Sequence, residues 1–205
     1  VGGGWLAGLG YFGGGATALH VVAGAGALAV LAIAGPRLGQ TTGKPGILQA
    51  HAIPFAVLGT VLIGIGLPGV AGHSGPAASG PGGSGLAGAE MLLAGAAGGT
   101  AVLAAHLSRP TWAGLVDILN GTLAGMVAVS TVAGLVDTEI SVTIGAIGGL
   151  IATAGRHMLE AIGLDDAAGL VPVHLFGGLW CALAPALMPL AVLPAGLSTV
   201  DMIGV

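Results

Sequence analysis

Ionised side chains are scarce in this sequence: aspartate, glutamate, lysine and arginine together make up 6% of its 205 residues. A soluble domain carries about a quarter charged residues, so this chain cannot cover a water-exposed surface. The mean hydropathy of +1.02 indicates instead an all-α polytopic membrane protein, a bundle of transmembrane helices in a lipid bilayer. The formal net charge of −4 says little about partners, because so few groups are ionised.

Basic residues and cysteine are also scarce. Each scarcity excludes a kind of binding or a kind of site. Four lysines and arginines cannot form the basic patch that nucleic-acid binding needs. The single cysteine, Cys181, excludes an intrachain disulfide and a CxxC site. The sequence shows no metal-ligand cluster, nucleophile–base pair or phosphate-binding loop, so we expect neither an enzyme nor a cofactor.

Long uncharged runs rich in glycine and alanine take the place of charge, and small residues let helices approach closely. Runs of about 20 apolar residues predict membrane spans. Six are predicted, at 13–35, 52–71, 85–107, 112–135, 140–155 and 169–190. The fifth is short, and it can extend past Arg156 if that side chain snorkels.

The cations predict the orientation of these spans. Arg37 and Lys44 lie in the first predicted loop, Arg109 in the third and Arg156 at the fifth. Because cytoplasmic loops carry the excess of lysine and arginine, the odd-numbered loops are predicted to be cytoplasmic. Both termini then lie outside.

Two of the six histidines lie deep in uncharged runs. His20 and His174 occupy the first and last predicted spans, whereas four histidines near span ends fit interfacial positions: His51, His73, His106 and His157. A lone deep histidine fits a structural hydrogen bond between helices, but ionisable residues at that depth often mark a pathway. The surroundings of His20 and His174 are alike, and their spans run in opposite directions, which suggests an inverted repeat with the site at its interface. A neutral imidazole pair can share one N–H and offer a donor and an acceptor to a small polar solute.

Four segments in order resemble motifs of the ammonium transporter (Amt/Mep/Rh) family. The matching segments are FGGGATALH at 12–20, HAIPFAVLGTVLIGIGLPGVAGHS at 51–74, NGTLAGMVAVS at 120–130 and DDAAGLVPVHLFGGLW at 165–180. They are similar to the family's fifth helix, the following loop and helix, its eighth helix and its tenth helix. The resemblance therefore covers nearly the whole chain, and it implies one ammonium transporter-like membrane domain over 1–205, truncated at both ends.

The resemblance also implies a function and its site residues. Family members form homotrimers in the plasma membrane and conduct ammonium through a hydrophobic pore in each subunit. The twin pore histidines correspond to His20 and His174, the outer-site hydroxyl to Ser74, and the acidic residue that caps helix ten to Asp166. Ammonium would lose its proton at the outer site, and ammonia and the proton would cross along the histidines. A cytoplasmic regulatory protein is a further possible partner.

The sequence departs from the family pattern in its outer part. Phe12 stands where the family has an aspartate implicated in ammonium recruitment, and the aromatic residues of the outer vestibule are replaced at 67–73. Two alternatives therefore stay open: a sensor that binds ammonium without conducting it, and a neutral-gas channel of the Rh type.

Two carboxylates within the predicted spans, Glu90 in the third and Asp117 in the fourth, have no support from the family pattern. For Glu90 we expect a helix or subunit contact, with a role in transport as the alternative. Asp117 and Asn120 share a helix face. For Asp117 we expect an interface hydrogen bond, with a vestibule carboxylate as the alternative.

Overall fold

A computed structural model describes residues 14–37, 52–73, 83–108 and 114–187. These ranges contain only helices and connecting turns. The elements are α1 (Gly14–Ala34), α2 (Ile53–His73), α3 (Gly83–Leu107), α4 (Leu115–Val129), α5 (Thr138–Ala161), a π-helix (Val171–Phe176) and α6 (Gly177–Leu187). Among the described residues, α1, α3 and α5 are long and apolar enough to cross a membrane, and three shorter apolar helices accompany them.

The predicted all-α membrane fold is confirmed, and the first three spans agree with α1, α2 and α3 to within two residues at each end. The fifth span is longer than 140–155: α5 begins at Thr138 and continues past Arg156 to Ala161, an extension that the sequence-based prediction allows. Arg156 lies inside that helix, and its guanidinium pairs with Asp117 on α4. The helix can therefore continue past a cation because a neighbouring helix supplies the counter-charge.

The fourth predicted span was wrong at its end, since α4 stops at Val129 rather than at 135. The backbone N–H and the hydroxyl of Ser130 both donate to the carbonyl of Val127, which closes the last turn early. Gly134 then adopts a φ of 80°, a left-handed conformation that glycine tolerates best. Residues 130–136 therefore form turns, not helix, between α4 and α5.

The sixth predicted span is not one regular helix. It begins as a π-helix at Val171 and becomes α-helical only at Gly177, whose N–H reaches the carbonyl of Pro172 five residues earlier. Pro172 itself has no N–H to donate, and Gly169 enters the segment with a φ of 69°. Residues 188–190 of the prediction lie outside the described residues.

Helices α3, α4 and α5 pack closely because small residues face each other at their crossings. An added Cβ on Gly149 would lie 2.6 Å from the carbonyl oxygen of Gly98, and one on Gly145 would lie 2.6 Å from the Cα of Ala94. Large apolar side chains such as Phe55 and Ile33 are exposed, as on a surface that faces lipid. The π-helix and α6 pack against α4 and α5, and α1 packs against the π-helix and α6.

Candidate functional site

His20 on α1 and His174 in the π-helix face each other inside the bundle. Their Nδ1 atoms are 3.1 Å apart, and the two rings lie nearly parallel, with centroids 5.2 Å apart and planes inclined by 15°. His20 is buried, whereas His174 is partly exposed. The two histidines that the sequence singles out are therefore in direct contact.

Glycines bring the two histidine-bearing segments together. Gly24 lies directly against the backbone of Leu175, and no side chain would fit between them. One turn away, Gly178 lies against His20, so that an added Cβ would be 3.1 Å from the Cβ of His20. Early residues of α1 thus contact late residues of the last segment, which means that the two run antiparallel. The π-helix adds one residue to the turn around His174, a feature that is frequent at functional sites.

The contact through Nδ1 constrains the protonation of both rings. A hydrogen bond between two Nδ1 atoms requires that one ring carries a proton there and that the other does not. In the neutral pair, the donor ring therefore has a free Nε2 acceptor, and the acceptor ring has an Nε2–H donor. The pair can accept a hydrogen bond from one neighbour and donate one to another, which is what relay of a small polar solute or a proton needs.

One turn before His20, Thr17 joins a hydroxyl–thiol cluster, here defined as Thr17, Ser130, Thr131 and Cys181. The Oγ1 atoms of Thr17 and Thr131 are 2.6 Å apart, and the Cys181 thiol lies 3.4 Å from the first and 3.2 Å from the second. The cluster links α1, the turn after α4 and α6. Sequence reasoning missed it, although Thr17 precedes His20 by one helical turn.

Asp166 caps the segment that carries His174. Its two carboxylate oxygens accept hydrogen bonds from the N–H groups of Leu170, at 3.1 Å, and Val171, at 2.8 Å. A carboxylate at this place satisfies amides that have no partner within the helix and complements its dipole. Ser74, the residue predicted at the outer site, lies outside the described residues.

The neighbouring Asp165 binds Arg37, which follows the end of α1. The Arg37 guanidinium donates two hydrogen bonds of 2.7 Å to the two carboxylate oxygens, and its backbone N–H donates a third of 2.9 Å. Because Arg37 donates these hydrogen bonds, the pKa of the Asp165 carboxyl lies below its ordinary value. This ion pair was not predicted, because nothing in the spacing of the two residues links them.

Glu90 fastens the turn between α4 and α5 to α3. Its carboxyl accepts hydrogen bonds from the N–H of Gly134 at 2.7 Å and from the hydroxyls of Ser141 at 3.1 Å and Thr138 at 3.4 Å. The residue is 1% exposed. It therefore makes a contact within the chain, which is the structural alternative considered for it.

Asp117 and Asn120 lie at the end of the bundle that also carries Arg37 and Asp165. Asp117 pairs with Arg156, which in turn donates to Glu160 at 3.0 Å. The Asn120 amide packs against Gly169, and its buried Nδ2 has no hydrogen-bond partner among the described residues. Asp117 is thus neutralised by a partner on α5.

Within the described part of the chain, no group of three or more His, Cys, Asp or Glu could hold a metal ion.

The fold and the buried histidine pair define a polytopic helical membrane protein with a polar contact in its apolar interior. Residues 1–199 match the model of the Ammonium Transporter Family, and the chain belongs to that family. It is 37% identical over 196 residues to ammonium transporter Amt2 of Archaeoglobus fulgidus, a match that covers 89% of this chain and 42% of that protein. It is 32% identical over 195 residues to Amt2 of Methanocaldococcus jannaschii, covering 92% of this chain and 44% of that protein.

Solved structures of the same family share the fold. The structure of a "Sensor Amt Protein" superposes with a TM-score of 0.79 at 26% identity, covering 98% of this chain and 51% of that one. Candida albicans Mep2 superposes with a TM-score of 0.74 at 26% identity, covering 98% of this chain and 43% of that one. The chain therefore spans about half, or less, of the length of these relatives.

Proposed function

We propose that this chain contributes the twin-histidine portion of an ammonium or ammonia conduction pathway across a membrane. The observation that carries the proposal is the hydrogen-bonded contact between His20 and His174 inside the bundle. Membership of the Ammonium Transporter Family supplies the substrate class. We further propose that residues 1–205 form a single membrane domain.

The mechanism follows from the cost of moving a charge through hydrocarbon. A desolvated ammonium ion is expensive in an apolar interior, so loss of its proton before entry lowers the barrier. Ammonia can then donate to the free Nε2 of one histidine and accept from the Nε2–H of the other. A proton can travel along the same pair through exchange of tautomers. Sodium and potassium have no proton to lose, and they would be excluded.

The remaining roles are proposed from the family resemblance. Ser74 would provide a hydroxyl at the outer site, and Asp166 would hold the start of the segment that carries His174. The protein would lie in the plasma membrane with its odd-numbered loops in the cytoplasm. Homotrimer assembly and a cytoplasmic regulatory partner belong to the same proposal.

The test is ammonium-dependent flux and current in liposomes that contain the chain, with potassium as the control ion. His174→Ala should lower ammonia conduction by about tenfold or more, through loss of the shared hydrogen bond, and leave the protein folded with unchanged helical content. His157→Ala is the matched control, because this histidine on α5 is exposed and contacts neither pore histidine. Unchanged flux in His174→Ala would refute the pore role.

An ammonium sensor is the second candidate, and two observations favour it. A sensor protein of the family shares the fold with a TM-score of 0.79, and Phe12 stands where the family has an aspartate implicated in ammonium recruitment. Binding and current separate the candidates. A transporter binds ammonium and carries current, a sensor binds it without current, and a neutral-gas channel passes ammonia without current.

A further inference from the structure

We propose that Arg37 and Asp165 are positioning residues that hold His20 and His174 in register from one end of the bundle. Neither residue touches the histidines, but each is attached to one of the two segments that carry them. The geometric part of this inference stands on its own, and its consequence for flux rests on the proposed function.

Three hydrogen bonds join Arg37 to Asp165, more than a single-contact surface ion pair has. Exposed pairs contribute little, because two long side chains must be ordered in water. Here the Arg37 side chain is 48% exposed, but the Asp165 side chain is only 6% exposed, and it accepts from Nε and Nη2 of the guanidinium and from the Arg37 backbone. A forked arginine–carboxylate pair also fixes orientation, because both hydrogen bonds must form together.

The position of Asp165 is transmitted to His174 through Asp166. This adjacent carboxylate binds the N–H groups of Leu170 and Val171, the residues that begin the last segment. The loop that carries Asp165 is therefore tied to the π-helix and cannot move far without it. A restraint on Asp165 is in effect a restraint on the segment that places His174.

The second segment of the pair, α1, can rock about its contact with Leu175. Its close contact with Leu175 is at Gly24, four residues from His20 and ten residues from the helix end at Ala34. With a rise of 1.5 Å per residue, these distances are about 6 Å and about 15 Å. A rocking motion that moves His20 by about 1 Å therefore moves the Ala34 end by about 2.5 Å.

Because the Ala34 end moves about 2.5 times as far as His20, a restraint at that end limits the displacement of His20 effectively. A displacement of about 1 Å would stretch the Nδ1–Nδ1 distance from 3.1 Å to beyond hydrogen-bonding range. The same rocking would break the 2.7 Å hydrogen bonds of Arg37 to Asp165 first. The hydroxyl–thiol cluster restrains α1 beyond His20 on the other side, so that the ion pair and the cluster flank the histidines.

Two readouts test the proposal on the full chain in lipid bilayers. The first is ¹⁵N magnetic resonance of labelled histidines, which reports the N–H···N hydrogen bond between His20 and His174 directly. The second is ammonium-dependent flux in liposomes. The variants are Arg37→Gln, Asp165→Asn, Arg37→Lys and the charge exchange Arg37→Asp with Asp165→Arg.

Both neutral variants should lose the N–H···N signal and reduce flux about tenfold, while their melting temperatures stay high enough for folded protein at the assay temperature. The charge exchange should recover the signal and at least a third of the flux; it does not restore the backbone hydrogen bond. Arg37→Lys should fall between wild type and Arg37→Gln, because lysine keeps the charge without the fork. Glu160→Gln is the control. It removes a carboxylate on α5 that pairs with Arg156 and contacts neither Arg37 nor Asp165.

An unchanged N–H···N signal in Arg37→Gln and Asp165→Asn would overturn the positioning role. Equal losses of signal and flux in Arg37→Lys, the charge exchange and the neutral variants would also overturn it. Such a result would show that these residues are needed only for folding. If wild type conducts nothing and the signal still depends on the ion pair, conduction by this chain alone fails and the positioning role survives. If either neutral variant does not fold, Arg37→Lys and the charge exchange decide by the same criteria.

Discussion

The Nδ1 atoms of His20 and His174 lie 3.1 Å apart, so the two rings share one proton and cannot titrate or change tautomer independently. They come from segments 154 residues apart in sequence, and glycine contacts at Gly24 and Gly178 allow the approach. The neutral pair therefore functions as one group whose two outward Nε2 atoms have complementary hydrogen-bonding character.

This coupling predicts non-additive effects of mutation. His20→Ala and His174→Ala should each lower ammonium-dependent flux by about tenfold or more, and the double variant should be no worse than the more impaired single variant. The reason is that either change removes the shared hydrogen bond. The measurement is flux in liposomes for all four members of the cycle. Losses that multiply in the double variant would show that the rings act separately.

Glu90 should be a major contributor to stability. Glu90→Ala leaves the N–H of Gly134 and two hydroxyls without their acceptor, and the free energy of unfolding should fall by about 2 to 4 kcal/mol. Glu90→Gln should lose less, because one oxygen remains to accept. Unfolding in detergent by denaturant titration measures the change. The exposed Glu139→Ala is the control and should stay within about 0.5 kcal/mol of wild type; a Glu90→Ala variant equally close to wild type would refute the role.

The glycine contacts between α3 and α5 predict opposite effects at two helical glycines. Gly145→Ala would place a methyl group against the backbone of Ala94, so the helices must separate and stability should fall by about 2 kcal/mol or more. Gly66→Ala on α2 meets nothing within 4 Å and should be neutral or stabilising by up to about 1 kcal/mol. Paired unfolding measurements decide, and equal effects at both sites would contradict the packing argument.

The Arg37–Asp165 ion pair predicts a pH dependence of stability. The pKa of Asp165 is lowered in the folded state by the hydrogen bonds from Arg37, so the folded protein binds this proton less readily than the unfolded chain. The stabilisation is therefore fully present above the unfolded pKa of about 3.9 and is lost as pH falls through the lower folded value. The difference in unfolding midpoint between wild type and Asp165→Asn should be constant from neutral pH down to about pH 5 and shrink in stronger acid. A difference that grows in acid would have the wrong sign for this pair.

Much of the fold follows from the sequence because a bilayer leaves an apolar chain few options. Backbone groups in hydrocarbon must bond within their own segment, so uncharged runs become helices, and α1, α2 and α3 match their predictions. The predictions were wrong where tertiary contacts end or distort a helix. Glu90 accepts from Gly134 in the turn after α4, and the chain enters the π-helix through a left-handed glycine at 169.

The sequence alone determined that two histidines lie deep in apolar helices, because their depth depends only on the length of the uncharged runs around them. Only the tertiary structure decided that their Nδ1 atoms meet, since that distance depends on how closely glycines let α1 approach the last segment. The partners of Glu90, Asp117 and Arg37 were likewise decided by tertiary packing. Each of these charges binds a group at least 39 residues away in sequence, and no local pattern specifies such a pairing.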